Sequence, residues 1–507
     1  MSPPFAPPAR FNLAAYALWD RLGAGDGDRS AIVDDRGRYS YEEVRALAAR
    51  FGHRLRRIGV RPEERVLLAL PDRVEFPAAL FGALAIGAVP VMINPDLRAE
   101  HLAEVAAYSR ATALVSTRSF ESVVATVESA PDPASVLLIE DFVPETESPE
   151  LELYATHRDD PAMWLFSGGT TGAPKAVVQT HRSFANTTEL YAKATLGYRP
   201  DDVTLSVPKL FFGYATGSNL LFPFSVGATS ILFEGKPTPD KLFEMIARHR
   251  PTILINVPSA MNQMVAQPGA GDHDLSSLRW ATSAGEALPQ ALHRRWIETF
   301  GVEVLDGLGT AEMWHIFVTN RPGRVRAGTV GQVVEGFEVK ICDEQGTDLP
   351  HGEIGRLWVR GGSRALGYWQ NLDLTAAAFQ GEWFVGGDLA SIDHDGFVTH
   401  QGRADDAVKV KGKWLQPQEV ESCLLDHPMV ESAAVVAVED EDGLLKPVAF
   451  VVRGDAGSAD PEEELMAHVL ERLEPYKHPR RVIFVDELPQ THLGKVDRAA
   501  LKRLARS

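Results

Sequence analysis

The 507-residue chain has little cysteine: Cys342 and Cys423 stand far apart, with no CxxC pair and no metal-ligand spacing. That argues against a disulfide scaffold, fits a reducing compartment, and leaves neither thiol beside an activating motif. No Lys/Arg block of useful length occurs and the net charge is -18, so the basic face of a nucleic-acid binder is missing; the acidic excess reads as solubility. Local clusters such as Arg54–Arg57 and Lys409–Lys413 are at most anion sites. The Pro-rich Met1–Arg10 lacks the basic-then-apolar order of a signal peptide. The charge-free stretch Phe76–Pro95 has nearly membrane length, but Pro77, Gly82, Gly87 and Pro90 punctuate it. It reads as a buried helix running into a buried strand. A cytoplasmic protein with no membrane or nucleic-acid partner is expected. Internal repeats and low-complexity tracts are also missing.

What is present is ordinary globular composition, 45% hydrophobic and 24% charged, on a chain too long for one core. Ser40-Tyr-Glu-Glu43 forms a capping-box start, followed by Val44, Leu47, Ala48, Phe51, Leu55 and Ile58 at helical spacing. Strands at 65–70, 89–93 and 113–116 alternate with helices at 78–86 and 99–109, which predicts parallel sheets covered on both faces. After about Gly328 short strands separated by Asp/Gly turns take over. From about Ala407 the pattern is a small α+β unit, with helices at 418–425 and 461–473 and strands at 431–438, 448–452 and 481–484. The expected fold is α/β: a large N-terminal domain (1–404) of parallel-type sheets flanked by helices, with a β-rich subdomain, then a small C-terminal α+β domain (405–507).

The sharpest motif is Phe166-Ser-Gly-Gly-Thr-Thr-Gly-Ala-Pro-Lys175. Gly168, Gly169 and Gly172 let backbone amides turn toward a phosphate, Ser167, Thr170 and Thr171 add hydroxyl donors, and Lys175 adds a point charge. It is not the GxxxxGK[ST] loop, since Pro174 precedes the lysine and no Ser/Thr follows it. By itself a solvated Gly/Thr turn is the competing reading.

The segment resembles the phosphate loop of the adenylate-forming superfamily of acyl-CoA synthetases, adenylation domains and luciferases. Further signatures follow in that family's order. Ser283-Ala-Gly-Glu-Ala-Leu-Pro289 resembles the loop bordering adenine and the acyl pocket (Gly285, Glu286, Ala287). Asp306-Gly-Leu-Gly-Thr-Ala-Glu312 resembles the YGxTE element. Gly386-Gly-Asp388 resembles the ribose-binding TGD, Gly402-Arg403-Ala-Asp405-Asp406 the hinge, and Pro489-Gln-Thr-His-Leu-Gly-Lys495 the closing PxxxxGK. The resemblance implies ATP, Mg²⁺ and coenzyme A as reaction partners. It implies Lys495 as the catalytic lysine, Thr310 and Glu312 at the phosphates with Glu312 on Mg²⁺, and Asp306 and Gly307 beside the nucleotide. Asp388 and Arg403 fall at the ribose, and Asp405 at the hinge of a mobile C-terminal domain. Lys409, Lys411, Gly412 and Trp414 would face coenzyme A. The chemistry is coherent, because a carboxylate attacking an anionic α-phosphate needs charge neutralised and reactants held in line.

Lys209-Leu-Phe-Phe-Gly-Tyr-Ala-Thr-Gly-Ser-Asn219 and Glu312-Met-Trp-His-Ile-Phe317 are most similar to the benzoate–CoA ligase branch. The resemblance maps Phe212, Tyr214, Ala215, His315 and Ile316 to a short aryl slot with Gly307 at its floor. Phe211, Phe212 and Trp314 are bulky enough to close a fatty-acyl tunnel. Gly213, Ala215, Thr216 and Trp314 depart from the branch's pattern, and Leu308 replaces the aromatic many superfamily members stack on adenine. The substrate expected is therefore a benzoate-type acid carrying a hydroxyl or amine, with His315 or Thr216 meeting the substituent. Phe222 and Phe224 read as core. The alternatives are an adenylation enzyme that loads a carrier protein, and a non-catalytic nucleotide-binding protein, which the presence of Glu312 and Lys495 disfavours. Either a monomer or a homodimer is compatible.

Overall fold

The computed structural model describes residues 5–125, 135–167, 175–404, 408–410, 413–439, 445–454, 460–489 and 496–506. The capping box forms as read: Ser40 Oγ accepts from the Glu43 amide at 3.2 Å, and Glu43 Oε2 accepts from the Ser40 amide at 2.7 Å. Helix Tyr41–Arg57 then buries Val44, Ala48, Phe51 and Leu55. It crosses helix Glu75–Ala85 at Gly52 and Gly82, where a Cβ on Gly82 would collide with the Ala48 carbonyl and the Gly52 amide. Two arginines at its C-terminal end meet acceptors: Arg57 pairs with Glu147 at 2.8 Å and Arg56 donates to the Glu152 carbonyl. The uncharged stretch behaves as expected. Residues Phe76–Ala85 are buried helix and Val89–Met92 a buried strand. No helix among the described residues is long and apolar enough to cross a membrane.

Two sheets carry the N-terminal part. In the smaller, strands Val136–Leu138, Ala113–Ser116, Arg65–Ala69, Val89–Met92 and Pro161–Ser167 run parallel in that order. Lys175–Thr180 adds to it antiparallel, with Ser167 opposite Lys175 in register. The strands flanking the glycine-rich segment are thus antiparallel neighbours, at the edge of a sheet whose other strands run parallel as the alternation predicted.

In the larger sheet, strands Ser30–Asp34, Thr229–Ile231, Val203–Ser206, Ile253–Asn256, Trp280–Ser283 and Val304–Thr310 are parallel neighbours. Val304–Thr310 is also the junction with the β-rich section, because its other edge pairs antiparallel with His315–Thr319, with a register shift at Leu308/Gly309. Strands Gly331–Val333, Phe397–Arg403, Trp383–Ile392, Gly355–Arg360 and Glu338–Cys342 extend the same sheet. The β-rich section is thus continuous with the α/β body.

The C-terminal part has its own sheet, Val430–Glu439, Leu445–Arg453 and Arg481–Phe484, with helices Pro417–Leu425, Pro461–Arg472 and Arg498–Arg506. It also has its own apolar clusters, one around Leu415, Val420, Leu424, Val435 and Leu465, the other around Val436, Phe450 and Leu501. Cys342 and Cys423 are buried and unbridged.

Candidate active site

Loops that leave the C-terminal ends of Ile253–Asn256 and Trp280–Ser283, together with the last residues of Val304–Thr310, border a cleft of about 820 Å³. This is the crevice where open parallel sheets usually bind ligands. Its lining includes Lys175, Gly285, Glu286, Ala287, Asp306, Gly307, Thr310, Glu312, Asp388 and Arg403, as well as Phe212, Tyr214, His315 and Ile316. Residues separated by more than two hundred positions in sequence thus share one cavity.

The polar side chains are held by neighbours in the lining. Asp388 and Arg403 face each other in register on adjacent strands. Asp388 Oδ1 lies 3.1 Å from His400 Nε2 and 3.8 Å from Arg403 Nη1. Glu312, 7% exposed, accepts from Tyr368 Oη at 2.8 Å. Thr310 Oγ1 accepts from the Met313 amide at 3.2 Å, capping the short turn and leaving its own O–H to donate. Glu286 accepts from the Ser259 amide and hydroxyl, at 2.9 and 3.1 Å, and so ties its loop to the start of helix Pro258–Ala266. Burial pushes the Asp306 carboxyl up to about 8, against the pull of the Ser283 hydroxyl and the Gly307 amide.

The aromatic side is built on strain. His315 Nε2 lies 3.0 Å from the Tyr214 carbonyl and 3.0 Å from Ser218 Oγ. A carbonyl only accepts, so Nε2 carries the hydrogen. Burial pulls the His315 ring down to about 3, and it is neutral. Tyr214 Oη bonds Thr282 Oγ1 at 2.7 Å, linking this group to the parallel strands. Trp314 and His315 are consecutive side-chain-bearing residues with φ of 31° and 76°. Such residues avoid that region, at a cost of about 1–3 kcal/mol each. Two glycines admit the turn: a Cβ on Gly309 would strike the His315 carbonyl, and one on Gly217 the His315 ring. At Gly307 a Cβ would lie 3.0 Å from the Val318 carbonyl and 3.1 Å from Ile316 Cγ2, so a larger residue would have to push these neighbours aside.

Two sequence-based assignments are corrected. Ala215 is fully buried and is not part of the lining. Thr216 is fully buried as well, with Oγ1 donating to the Leu210 carbonyl at 2.6 Å and near the Phe212 carbonyl at 3.0 Å. It cannot meet a ring substituent. Both sit in the single helical turn Gly213–Thr216, where each step of about 100° rotates the next side chain away from the face that Tyr214 presents. Tyr368, His400 and Gln418 also line the cleft and were not anticipated. No local sequence signal marks them, because their partners lie on other elements. Lys409 and Trp414 pair across a two-stranded ribbon, and their side chains fall outside the description. Gly168, Gly169, Thr170, Thr171, Gly172, Asp405, Lys411, Gly412 and Lys495 lie outside the described residues.

Two family models match the chain: "AMP-binding enzyme" over residues 19–369 and "AMP-binding enzyme C-terminal domain" over residues 419–495. The chain is 40% identical to a benzoate–CoA ligase of Thauera aromatica, over 98% of this chain and 96% of that protein. It is 34% identical to an anthranilate–CoA ligase of Pseudomonas aeruginosa, over 88% of each. Among solved structures, it is similar to the anthranilate CoA ligase AuaEII in complex with anthranoyl-AMP, with a TM-score of 0.94, 35% identity and 98% of each chain covered. A benzoate CoA ligase from Burkholderia xenovorans LB400 superposes with a TM-score of 0.88 at 40% identity, over 97% of this chain and all of that one. With its motifs in family order, both family models matched and relatives aligned end to end, the chain belongs to the AMP-binding enzyme family, in its benzoate–CoA ligase-like branch.

Proposed function

We propose that the protein is an AMP-forming aryl–CoA ligase. In the first step a carboxylate oxygen of an aromatic acid attacks the α-phosphorus of ATP, the bond to the β-phosphate oxygen breaks, and diphosphate leaves. In the second the sulfur of coenzyme A attacks the acyl carbon, the bond to the AMP oxygen breaks, and the thiol proton passes to solvent. The observation that carries this reading is the shared cleft, in which phosphate-binding and ribose-binding residue types line the same cavity as the aromatic slot.

In this reading Lys175, with Ser167 to Gly172, binds the phosphates, and Thr310 donates its O–H to them. Asp388 and Arg403 hold the ribose, with His400 orienting Asp388. Asp306, Gly285, Glu286 and Ala287 border the base, and Tyr214, Phe212, His315, Ile316 and Gly307 enclose the ring. Glu312 would hold Mg²⁺ at the ATP phosphates, where the ion would supply charge neutralisation. No group of three or more His, Cys, Asp or Glu among the described residues could hold a metal ion. The lone carboxylate of Glu312 fits an ion that takes its remaining ligands from substrate and water. Residues 405–507 form the mobile domain, with Asp405 at the hinge, Lys495 serving the first step and Lys409, Lys411, Gly412 and Trp414 facing coenzyme A. Coenzyme A is preferred to a carrier-protein pantetheine because the full-length relatives are named for it. The acids favoured carry a hydroxyl or amine near His315, and the cytoplasm is the expected location.

The two half-reactions separate in a lysine variant. Lys495→Gln is expected to lose acid-dependent exchange of diphosphate into ATP, while still converting a supplied aryl adenylate to thioester. Exchange near the wild-type rate would remove Lys495 from the first step.

A further inference from the structure

The strained Trp314–His315 turn has local support, from the Trp314 amide to the Ala311 carbonyl at 3.4 Å and from the Thr310 cap, and buried hydrogen bonds from other elements add to it. Thr187 Oγ1 donates to the Trp314 carbonyl at 3.1 Å and lies 2.6 Å from Ser363 Oγ. Asn186 Nδ2 donates to Ser363 Oγ at 2.9 Å, and the Ser183 carbonyl is 2.9 Å from the same oxygen. Asn186, Thr187 and Ser363 are all at most 1% exposed, so these polar atoms have little water to fall back on. Two hydroxyl hydrogens serve three oxygen contacts. With Thr187 donating to Trp314, the single Ser363 hydrogen is shared between the Ser183 carbonyl and Thr187 Oγ1, and Asn186 donates to Ser363 Oγ. The approach is close, since a Cβ on Gly362 would lie 2.7 Å from Asn186 Oδ1. The short segment that follows Gly362 makes two attachments to Glu312, in the helical turn Ala311–Met313 that leads into Trp314. The Ala365 amide donates to the Glu312 carbonyl at 2.8 Å, and Tyr368 Oη donates to the Glu312 carboxylate.

We propose that Thr187, Asn186 and Ser363 are positioning residues for the acid pocket: they pin the left-handed Trp314–His315 turn and thereby set the width and selectivity of the slot that His315 and Ile316 line. The same segment fixes Glu312, so the ring wall and the phosphate-side carboxylate are registered against one support. The proposal rests on the aryl-slot reading of the cleft.

The test is Thr187→Val, which keeps the volume and removes the donor, beside Thr187→Ser, which restores the hydroxyl. KM and kcat are measured for ATP and for benzoate and its three hydroxy and three amino isomers, with thermal melting in parallel. Expected for Thr187→Val is a rise in acid KM of roughly tenfold, the scale of a sub-ångström misplacement in a pocket, with ATP KM nearly unchanged and a narrowed spread of kcat/KM among the isomers. Thr187→Ser recovers both. A lowered melting temperature with unchanged acid KM and isomer ranking would overturn the proposal, as would equal increases in acid and ATP KM. Should Thr187→Val fail to fold, Ser363→Ala is judged by the same criteria. A wild-type enzyme that uses no aromatic acid would sink the aryl reading alone. The positioning role is then judged on KM for the acid it does use.

Discussion

Asp306 and Gly307 occupy adjacent positions on one strand and make opposite demands. Gly307 is there for space. Gly307→Val places branches among Val318, Thr319 and Ile316, and acid KM should rise by about 10- to 200-fold, as one or two misplaced methyl groups do in a tight pocket. ATP KM should change little, and steady-state kinetics on both substrates checks this. Asp306 is a matter of protons. Its carboxyl titrates near 8 when folded, against an ordinary 3.8. Between those values the folded chain keeps a proton that the unfolded chain has lost, so this group's contribution to stability falls as pH rises. Asp306→Asn removes that slope. Its melting temperature should gain on wild type from pH 5 to pH 8, and parallel profiles would contradict the assignment. Residues inside motifs were legible from sequence because the motif fixes their spacing. Which neighbour of a motif residue faces the cleft was not, as Ala215 and Thr216 show: one helical step decides it. His400 and Tyr368 were invisible for another reason, since each acts on a residue of a different strand or turn.

At the scale of elements, local physics was enough wherever the signal was local. Helix Tyr41–Arg57 begins at the capping box, and strands Ala113–Ser116 and Arg481–Phe484 fall where β-rich apolar runs put them. Removing the cap with Ser40→Ala should cost about 1 kcal/mol, readable as a lower denaturant midpoint with unchanged slope. An unchanged midpoint would mean that tertiary packing alone starts the helix. Pairing was less accessible. The antiparallel pairing of Pro161–Ser167 with Lys175–Thr180 and the antiparallel edge of Val304–Thr310 depend on which strands meet, and period-two alternation does not encode that. The left-handed turn at Trp314 and His315 was hidden too, since Trp does not favour positive φ and the modest tolerance of His is too weak a signal. Gly309 and Gly217, which make it possible, read as ordinary glycines.

For the whole molecule, the order of motifs, two separate sets of apolar clusters and one cleft all point to the same two-domain ligase, and most of that outline was legible before the structure. Two buried histidines contribute to the acid-side stability of the chain. His181 and His315 are both pulled down to about 3 by burial. Between that value and the ordinary 6.5 the unfolded chain binds protons that the folded chain refuses, so stability rises with pH across the window and is lost as pH falls through it. Chemical denaturation from pH 4 to pH 7 should show this rise, with a shallower slope in any His181 variant that folds. The central claim concerns the product. Purified protein is given ATP, Mg²⁺, coenzyme A and a panel of benzoate-type and aliphatic acids, and the products are weighed by mass spectrometry. The account predicts an aryl–CoA thioester with one AMP formed per thioester, from benzoates bearing a hydroxyl or amine in preference to aliphatic acids. No thioester from any aromatic acid, with thioester formed from an aliphatic one, would contradict it.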